Sequence, residues 1–320
     1  MKTTYVLLLF LVFSHLSVLA SVPTDSLFTE SIITLTTVSG TIYGTLTMPA
    51  QPTKCPVALI IAGSGPTDRN GNSPLTQNDA LKKLAHRLSS HRIASVRFDK
   101  RGIGESRAAF KSEADLRFED YINDAKEWVQ LLKNDKRFSK VIIIGHSEGS
   151  LIGMLAASKA DQFISIAGAG QSADLLLKEQ FRTLPAEGQQ MAFPILDSLK
   201  NGKQVSNVNP MLFSIFRPSV QPYMISWFKY DPQQEIKKLT IPILLIQGTK
   251  DIQTSVGDAQ KLSIANPKAT LVLIEQMNHI LRKVEGDRND NVATYGKLEL
   301  PLMPELEVAL VNFIMKKGNK

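Results

Sequence analysis

The segment Val141-Ile142-Ile143-Ile144-Gly145-His146-Ser147-Glu148-Gly149-Ser150 leaves a chain few ways to fold. A β-branched apolar run ends at a glycine, and a serine stands between two glycines. Leu151-Ile152-Gly153-Met154-Leu155-Ala156-Ala157 then opens a helix-like stretch. Strand, sharp turn and helix in that order describe a nucleophile elbow, in which the serine is held at a strained backbone angle with its hydroxyl outward. Gly145 and Gly149 suit a turn so tight that side chains two residues either side of Ser147 would collide. The turn also sets Ser147 at a helix start, where free N–H groups can stabilise developing negative charge. The bare pattern is weak: at about 7% glycine it arises by chance in roughly one chain in ten of this length. The flanking strand and helix make Ser147 the candidate nucleophile.

The rest of the chain supplies an α/β frame around that turn. Ser31 to Leu35 and Thr41 to Met48 alternate apolar and polar about Ser39-Gly40, as an antiparallel hairpin at a sheet edge would. Val57 to Ala62 is a continuous apolar run, expected of a strand buried on both faces. It enters the glycine-rich loop Gly63 to Asn72. A helix follows, with Asn78 as N-cap and Ala80, Leu81, Leu84, Ala85 and Leu88 on one face. Ala94 to Phe98 is a short strand, and Phe118, Tyr121, Ile122, Ala125, Trp128, Val129 and Leu132 recur at helical spacing. After the elbow come the strands Phe163 to Ala167, Ile243 to Gln247 and Thr270 to Ile274, with a helix over Val256 to Ile264 and a terminal helix burying Leu306, Ala309, Leu310, Phe313 and Ile314. This order predicts a doubly wound, mostly parallel sheet, with residues 25–167 and 239–318 as its core. The site of such a sheet lies at the carboxyl ends of its strands. Residues 168–238 break the alternation and are too long for a simple loop, so a helical cap inserted over the sheet is expected there. Its apolar side chains, Met191, Phe193, Met211, Phe213, Phe216, Tyr223, Met224, Trp227 and Phe228, either line a pocket or form a small core of the cap.

At the N-terminus, Lys2 precedes a short apolar run that closes on Val18-Leu19-Ala20, the pattern of a secretory signal peptide over residues 1–20. The run is short and broken by Ser14 and His15, so export to the periplasm or the exterior is expected rather than a stable membrane anchor. The net charge of +7 comes from scattered lysines without a basic cluster, which does not suggest nucleic-acid binding. Cys55 stands alone, so no intramolecular disulfide is available and stability rests on the core.

A serine hydroxyl needs a base, usually a histidine oriented by a carboxylate. Of the five histidines, His15 falls in the signal segment, and His86 and His91 fall on or just after the first helix. His146 sits inside the elbow, with its side chain expected to point away from that of Ser147. His279, in a loop after a late strand, remains as the base. Asp251 directly follows a strand in a short turn and is the orienting carboxylate, with Asp258 in the next helix as its rival. Ser147, Asp251 and His279 then occur in the chain order Ser, Asp, His. The oxyanion hole needs two backbone N–H groups. Glu148 supplies one and the loop after the first buried strand the other, from Ser64 or, second, Gly65; Glu148 is expected to contribute nothing chemical beyond its N–H. Asp99 and Arg101 are expected to hold the neighbouring loop.

The chain resembles the α/β-hydrolases, and among them the bacterial EstD-type esterases grouped with serine aminopeptidase-like hydrolases. The resemblance runs from about Ile32 to Phe313. It rests on Gly63-Ser64-Gly65-Pro66-Thr67-Asp68-Arg69-Asn70-Gly71-Asn72, Asp99-Lys100-Arg101-Gly102-Ile103-Gly104-Glu105-Ser106, Gly145-His146-Ser147-Glu148-Gly149 and Gln247-Gly248-Thr249-Lys250-Asp251. Ala62-Gly63 replaces the His-Gly pair common in the oxyanion loop of that fold. The resemblance implies hydrolysis of small-molecule carboxylic esters with short or medium acyl chains, without metal or organic cofactor. Two other readings stay open: an aminopeptidase or amidase using the same residues, which would need a site for the free amine, typically cap carboxylates such as Glu179, Glu187 or Asp197, whose places the sequence does not give, and a non-catalytic binding protein on this fold.

Overall fold

The computed structural model describes residues 28–50 and 54–316; the segment read as a signal peptide lies outside the described residues. Eight strands form one sheet: β1 (Phe28–Thr37), β2 (Gly40–Pro49), β3 (Cys55–Ile61), β4 (Ala94–Phe98), β5 (Phe138–His146), β6 (Gln162–Ile166), β7 (Ile243–Gly248) and β8 (Thr270–Ile274). Their spatial order is β1-β2-β4-β3-β5-β6-β7-β8. The β1–β2 hairpin joins β4 antiparallel at one edge, and every pairing from β4 to β8 is parallel.

The helices sort to the two faces by the alternation of the strands. Neighbouring residues of a strand point to opposite sides of the sheet. Leu59, Val96, Ile143 and Phe163 pack on one face with α2 (Phe118–Asn134), α3 (Glu148–Ala156) and α9 (Val256–Ala265). Ile60, Ile144, Ile164 and Ile246 pack on the other with α1 (Ala80–Ser90) and α11 (Pro304–Met315). All seven residues of β3 are buried, which is why it reads as an unbroken apolar run. The seven apolar positions read at helical spacing between Phe118 and Leu132 are all buried on α2. In α11, Leu306, Leu310 and Ile314 are buried, while Ala309 and Phe313 are only partly covered. Asp79, in the left-handed region, is the N-cap of α1 rather than Asn78. The side chain of Asn78 still accepts the Ala80 N–H, because the loop needs one more residue to turn.

From β3 the chain passes through α1 to β4 on one side, then through α2 on the opposite face to β5 on the other side. The crevice between β3 and β5 is therefore the switch point of the sheet, where a doubly wound fold leaves room for a ligand. The Gly63 loop and the Ser147 turn flank that crevice.

Between β6 and β7 lie α4 (Ala173–Phe181), α5 (Ala186–Lys200), α6 (Phe213–Phe216), α7 (Gln221–Trp227) and α8 (Pro232–Lys237); α10 (Arg288–Ala293) follows β8. Most of the large apolar side chains of this insertion neither form a separate core nor line a pocket. Phe216, Tyr223, Met224 and Phe228 join the buried cluster on the α2 face, where Phe118 stacks on Trp227 at 5.9 Å between ring centroids. Met211 and Phe213 are exposed, and Trp227 borders the pocket at Ser147.

Candidate active site

Ser147 sits between β5 and α3 at φ 55° and ψ −121°, a conformation costly for a residue with a β-carbon. What holds it there is the lack of room around the turn. A Cβ on Gly145 would lie 2.2 Å from the carbonyl oxygen of Gly149, and one on Gly149 would lie 2.3 Å from that of Ile61. The Ser147 N–H donates to Ile166 O at 2.9 Å, and its carbonyl accepts from Ser150 N at 2.9 Å. Strain in the serine is thus fixed by close-packed backbone on three sides.

His279 and Asp251, read as base and orienter, meet. His279 Nδ1 lies 2.8 Å from Asp251 Oδ2, and both side chains are almost wholly buried. The other partners of the carboxylate are arranged for an anion. Oδ1 accepts from Gln253 N at 2.8 Å and Thr254 N at 3.0 Å, and Oδ2 also accepts from Gln247 Nε2 at 3.1 Å and Thr254 Oγ1 at 3.0 Å. Burial raises the Asp251 pKa, and the charge and hydrogen bond of His279, with the two backbone N–H groups, more than offset it; the net shift is downward. The loop carrying His279 is pinned by its neighbour Asn278, whose Nδ2 donates to Asn291 and Thr294 and whose Oδ1 accepts from Arg282 N. Asp258, the rival carboxylate, caps α9 and accepts from Gly170 N, away from this pair.

Two pockets meet at Ser64, Ser147 and Gln253. The first runs under the insertion and is walled by Leu151, Leu176, Leu177 and Trp227. The second, bordered by Thr67, Ser73, Thr76, His279 and Tyr295, is more polar. Ser147 and His279 share the second pocket, and among the described residues no hydrogen bond joins Ser147 Oγ to His279. Glu148 is the first residue of α3, so its N–H has no intrahelical acceptor, and the Ser64 N–H also donates to no backbone group among the described residues. Gly63 presses on the elbow: a Cβ there would lie 3.2 Å from Ser147 Cβ. A hydroxyl common to both pockets, an imidazole held by a carboxylate at one, and the N–H groups of Ser64 and Glu148 at the other can pass a proton and stabilise an oxyanion.

Two expectations need correction. The Glu148 side chain is not idle: it is buried, with Oε2 accepting from Lys100 Nζ at 2.8 Å and Oε1 accepting from Tyr223 OH at 2.5 Å. His146 does not turn away from the site. Its ring lies 4.8 Å from that of His279, and its Nε2 donates to the His279 carbonyl at 2.8 Å, so Nε2 carries the proton of a neutral ring. Lost hydration, then the neighbouring His279, hold its pKa at about 4 against an ordinary 6.5. Between those pH values the unfolded chain binds more protons here than the folded one, so stability falls as pH drops from 6.5 towards 4 and levels off below. The full displacement would be worth ~3 kcal/mol; the ring keeps some contact with the pocket, so about 2 kcal/mol is expected. His146→Gln should flatten this part of the pH dependence of the urea midpoint, and an undiminished slope would assign it to another group.

Elsewhere, Asp99 accepts from Arg69 N, Nε and Nη2 and from Glu105 N, joining the Gly63–Asn72 loop to the turn after β4. Arg101 pairs with Asp124 of α2. His86 and His91 lie at the surface beside Glu30 and Glu307. The cap carboxylates Glu179, Glu187 and Asp197 are exposed and border neither pocket. Among the described residues no helix is long and apolar enough to cross a membrane, and no group of three or more His, Cys, Asp or Glu converges as a metal-ligand set.

Comparison with known proteins agrees with this fold. The family model described as serine aminopeptidase, S33, matches residues 77–226. Esterase EstD of Thermotoga maritima is 29% identical over 260 residues, covering 78% of this chain; the chain spans 60% of that relative's length. Among solved structures, Est1E from Butyrivibrio proteoclasticus superposes with a TM-score of 0.57 at 17% identity, over 89% of this chain and 99% of its own. The Pyrococcus furiosus esterase Pf2001 follows with 0.54 at 15%, over 91% and 94%. The sheet order, the strained serine at the switch point and these structural likenesses together give the chain the α/β-hydrolase fold.

Proposed function

We propose that this chain hydrolyses carboxylic esters through an acyl-enzyme on Ser147. The observation that carries the reading is the buried His279–Asp251 pair, 2.8 Å apart, whose imidazole shares one pocket with the strained serine, while Ser64 and Glu148 border the adjoining pocket that also reaches that serine. Ser147 Oγ attacks the acyl carbonyl while His279 takes its proton and Asp251 keeps the imidazole in the required tautomer. The oxygen of the tetrahedral intermediate lies on the N–H groups of Ser64 and Glu148. His279 then protonates the leaving alcohol, and water, activated by the same imidazole, releases the acid.

This proton traffic orders the two pockets. The leaving alcohol must sit beside His279, hence in the polar pocket, and the acyl chain takes the pocket lined by Leu151, Leu176, Leu177 and Trp227. The apolar wall that Leu176, Leu177 and Trp227 of the insertion give this pocket suits short to medium chains. An aminopeptidase would need an acid facing the substrate amine. Among the described residues Glu148 is the only carboxylate bordering the acyl pocket, and its pairing with Lys100 and Tyr223 supports the ester reading.

The test is hydrolysis by the purified chain of p-nitrophenyl esters of increasing acyl length beside aminoacyl p-nitroanilides. Ester turnover is expected to peak at short to medium chains and to exceed anilide turnover by at least ~100-fold. A preference for the anilides would replace this reading by the amidase one.

A further inference from the structure

The geometry points to Lys100 as a positioning residue of the oxyanion site: it fixes and polarises the Gly63–Ser64 peptide, and through Glu148 and Tyr223 braces that site against the cap. This rests on the proposed hydrolysis at Ser147.

Lys100 follows β4 at its carboxyl end and is 2% exposed. An ammonium has three N–H bonds to satisfy; two have hydrogen-bond partners and an aromatic face lies near the cation. One donates to Gly63 O at 2.6 Å and one to Glu148 Oε2 at 2.8 Å, while the cation lies 4.9 Å from the centre of the Tyr121 ring. The contact with Gly63 matters for chemistry. In a trans peptide the C=O of residue 63 and the N–H of residue 64 share one plane and point in opposite directions. Holding that carbonyl on one side therefore aims the Ser64 N–H from the other, into the pocket shared with Ser147. A cation on the carbonyl also draws electron density from the amide and strengthens its N–H as a donor, an effect that grows where water is excluded.

The second donor is braced by the same group. Glu148 supplies its backbone N–H, and its carboxylate is held at one oxygen by Lys100 and at the other by the hydroxyl of Tyr223 on α7. Burial, then the Glu148 charge, push the Tyr223 pKa well up, so it acts as a neutral donor. One buried ion pair thus joins the loop after β3, the first residue of α3 and a helix of the cap. Stability alone is a poor reason to keep such a pair, since apolar replacements of buried ion pairs are often as stable.

Removing Lys100 alone would strand a buried carboxylate, so the test variant is Lys100→Met with Glu148→Gln, which keeps the Glu148 N–H and leaves no unpaired charge. Folding is checked by circular dichroism and thermal melting. The readouts are kcat and KM on p-nitrophenyl butyrate and Ki for an alkyl trifluoromethyl ketone, which adds to the serine and places an oxyanion in the hole. Expected is a loss of about tenfold to a hundredfold in kcat, an equal rise in Ki, and little change in KM. A folded double variant with unchanged Ki, or one that loses activity through KM alone, overturns the assignment. Tyr223→Phe removes only a hydroxyl at the cap end and should weaken the ketone by roughly threefold to tenfold; no change there overturns the brace even where the double variant does not fold. The underlying reading is checked apart from Lys100: wild-type turnover that survives Ser147→Ala would dismiss the serine mechanism and this inference together, whereas turnover that needs Ser147 with an indifferent Lys100 dismisses the inference alone.

Discussion

Ser147→Ala is expected to lower kcat for ester hydrolysis by on the order of 10⁶-fold while leaving the fold intact. The size follows from what is lost: without the hydroxyl no acyl-enzyme forms, and only the N–H groups and the pocket remain to act on an ester attacked by water. The fold should not notice, because the interactions that hold this residue belong to its backbone. The Ser147 N–H bond to Ile166 and the Ser150 N–H bond to Ser147 O persist in alanine, and so does the positive φ, which alanine tolerates as poorly as serine. The side-chain oxygen makes no hydrogen bond to the protein among the described residues, so its removal orphans no buried partner. Urea unfolding should therefore give a stability within about 0.5 kcal/mol of wild type. A folded Ser147→Ala chain with more than about a thousandth of wild-type turnover would remove Ser147 as nucleophile. A variant that unfolds would instead mean that the elbow depends on the hydroxyl.

The features legible in the sequence are those written in consecutive or periodic residues. β3 is an almost unbroken apolar run because a parallel strand is covered on both faces, and α2 shows its buried stripe at every expected turn. The elbow is legible because its two glycines flank the serine within five residues of sequence, although only Gly145 is forced by a local contact and Gly149 is forced by the β3 backbone at Ile61. Asp251 and His279 could be selected because each follows a strand and so falls at the carboxyl edge of the sheet. What escaped depends on contacts between distant segments. Lys100 and Glu148 are 48 residues apart, and Glu148 and Tyr223 are 75 apart. Nothing local marks Lys100 as buried in a turn rich in charged residues and glycine. A signal was nevertheless present: a lysine just past a fully buried strand, next to the crevice, is poorly placed for solvent. His146 escaped for a related reason, since its neighbour is set by the loop that returns with His279. The apolar residues of the cap are ambiguous in sequence because the surface that receives them, α2, lies about a hundred residues away.

Asp251→Asn is the second decisive change, expected to cost about 10⁴-fold in kcat with the chain still folded. Its effect can be derived from the hydrogen bonds. Oδ1 of the aspartate faces two backbone donors, Gln253 N and Thr254 N, neither of which can accept. Asparagine must therefore put its own oxygen there, and its NH₂ falls at the position of Oδ2, against His279 Nδ1. The NH₂ can be housed: Thr254 Oγ1 can turn its proton to Ala167 O and accept from it, while Gln247 Nε2 keeps its bonds to Gly248 O and Thr254 O. The imidazole cannot be housed without loss. An amide N–H facing Nδ1 makes that nitrogen the acceptor and puts the ring proton on Nε2, the atom that must receive the proton of Ser147. The base is then present, correctly placed and in the wrong tautomer, and the imidazolium that would form next has lost its counter-charge. The loss should appear in kcat with KM little altered, because neither pocket wall has moved. Asp258→Asn, by contrast, disturbs only the cap of α9 and should leave turnover within a few-fold. A rate in Asp251→Asn within tenfold of wild type would mean that the histidine takes its orientation from elsewhere, and the hydrogen bond to His146 at the His279 carbonyl is where to look next.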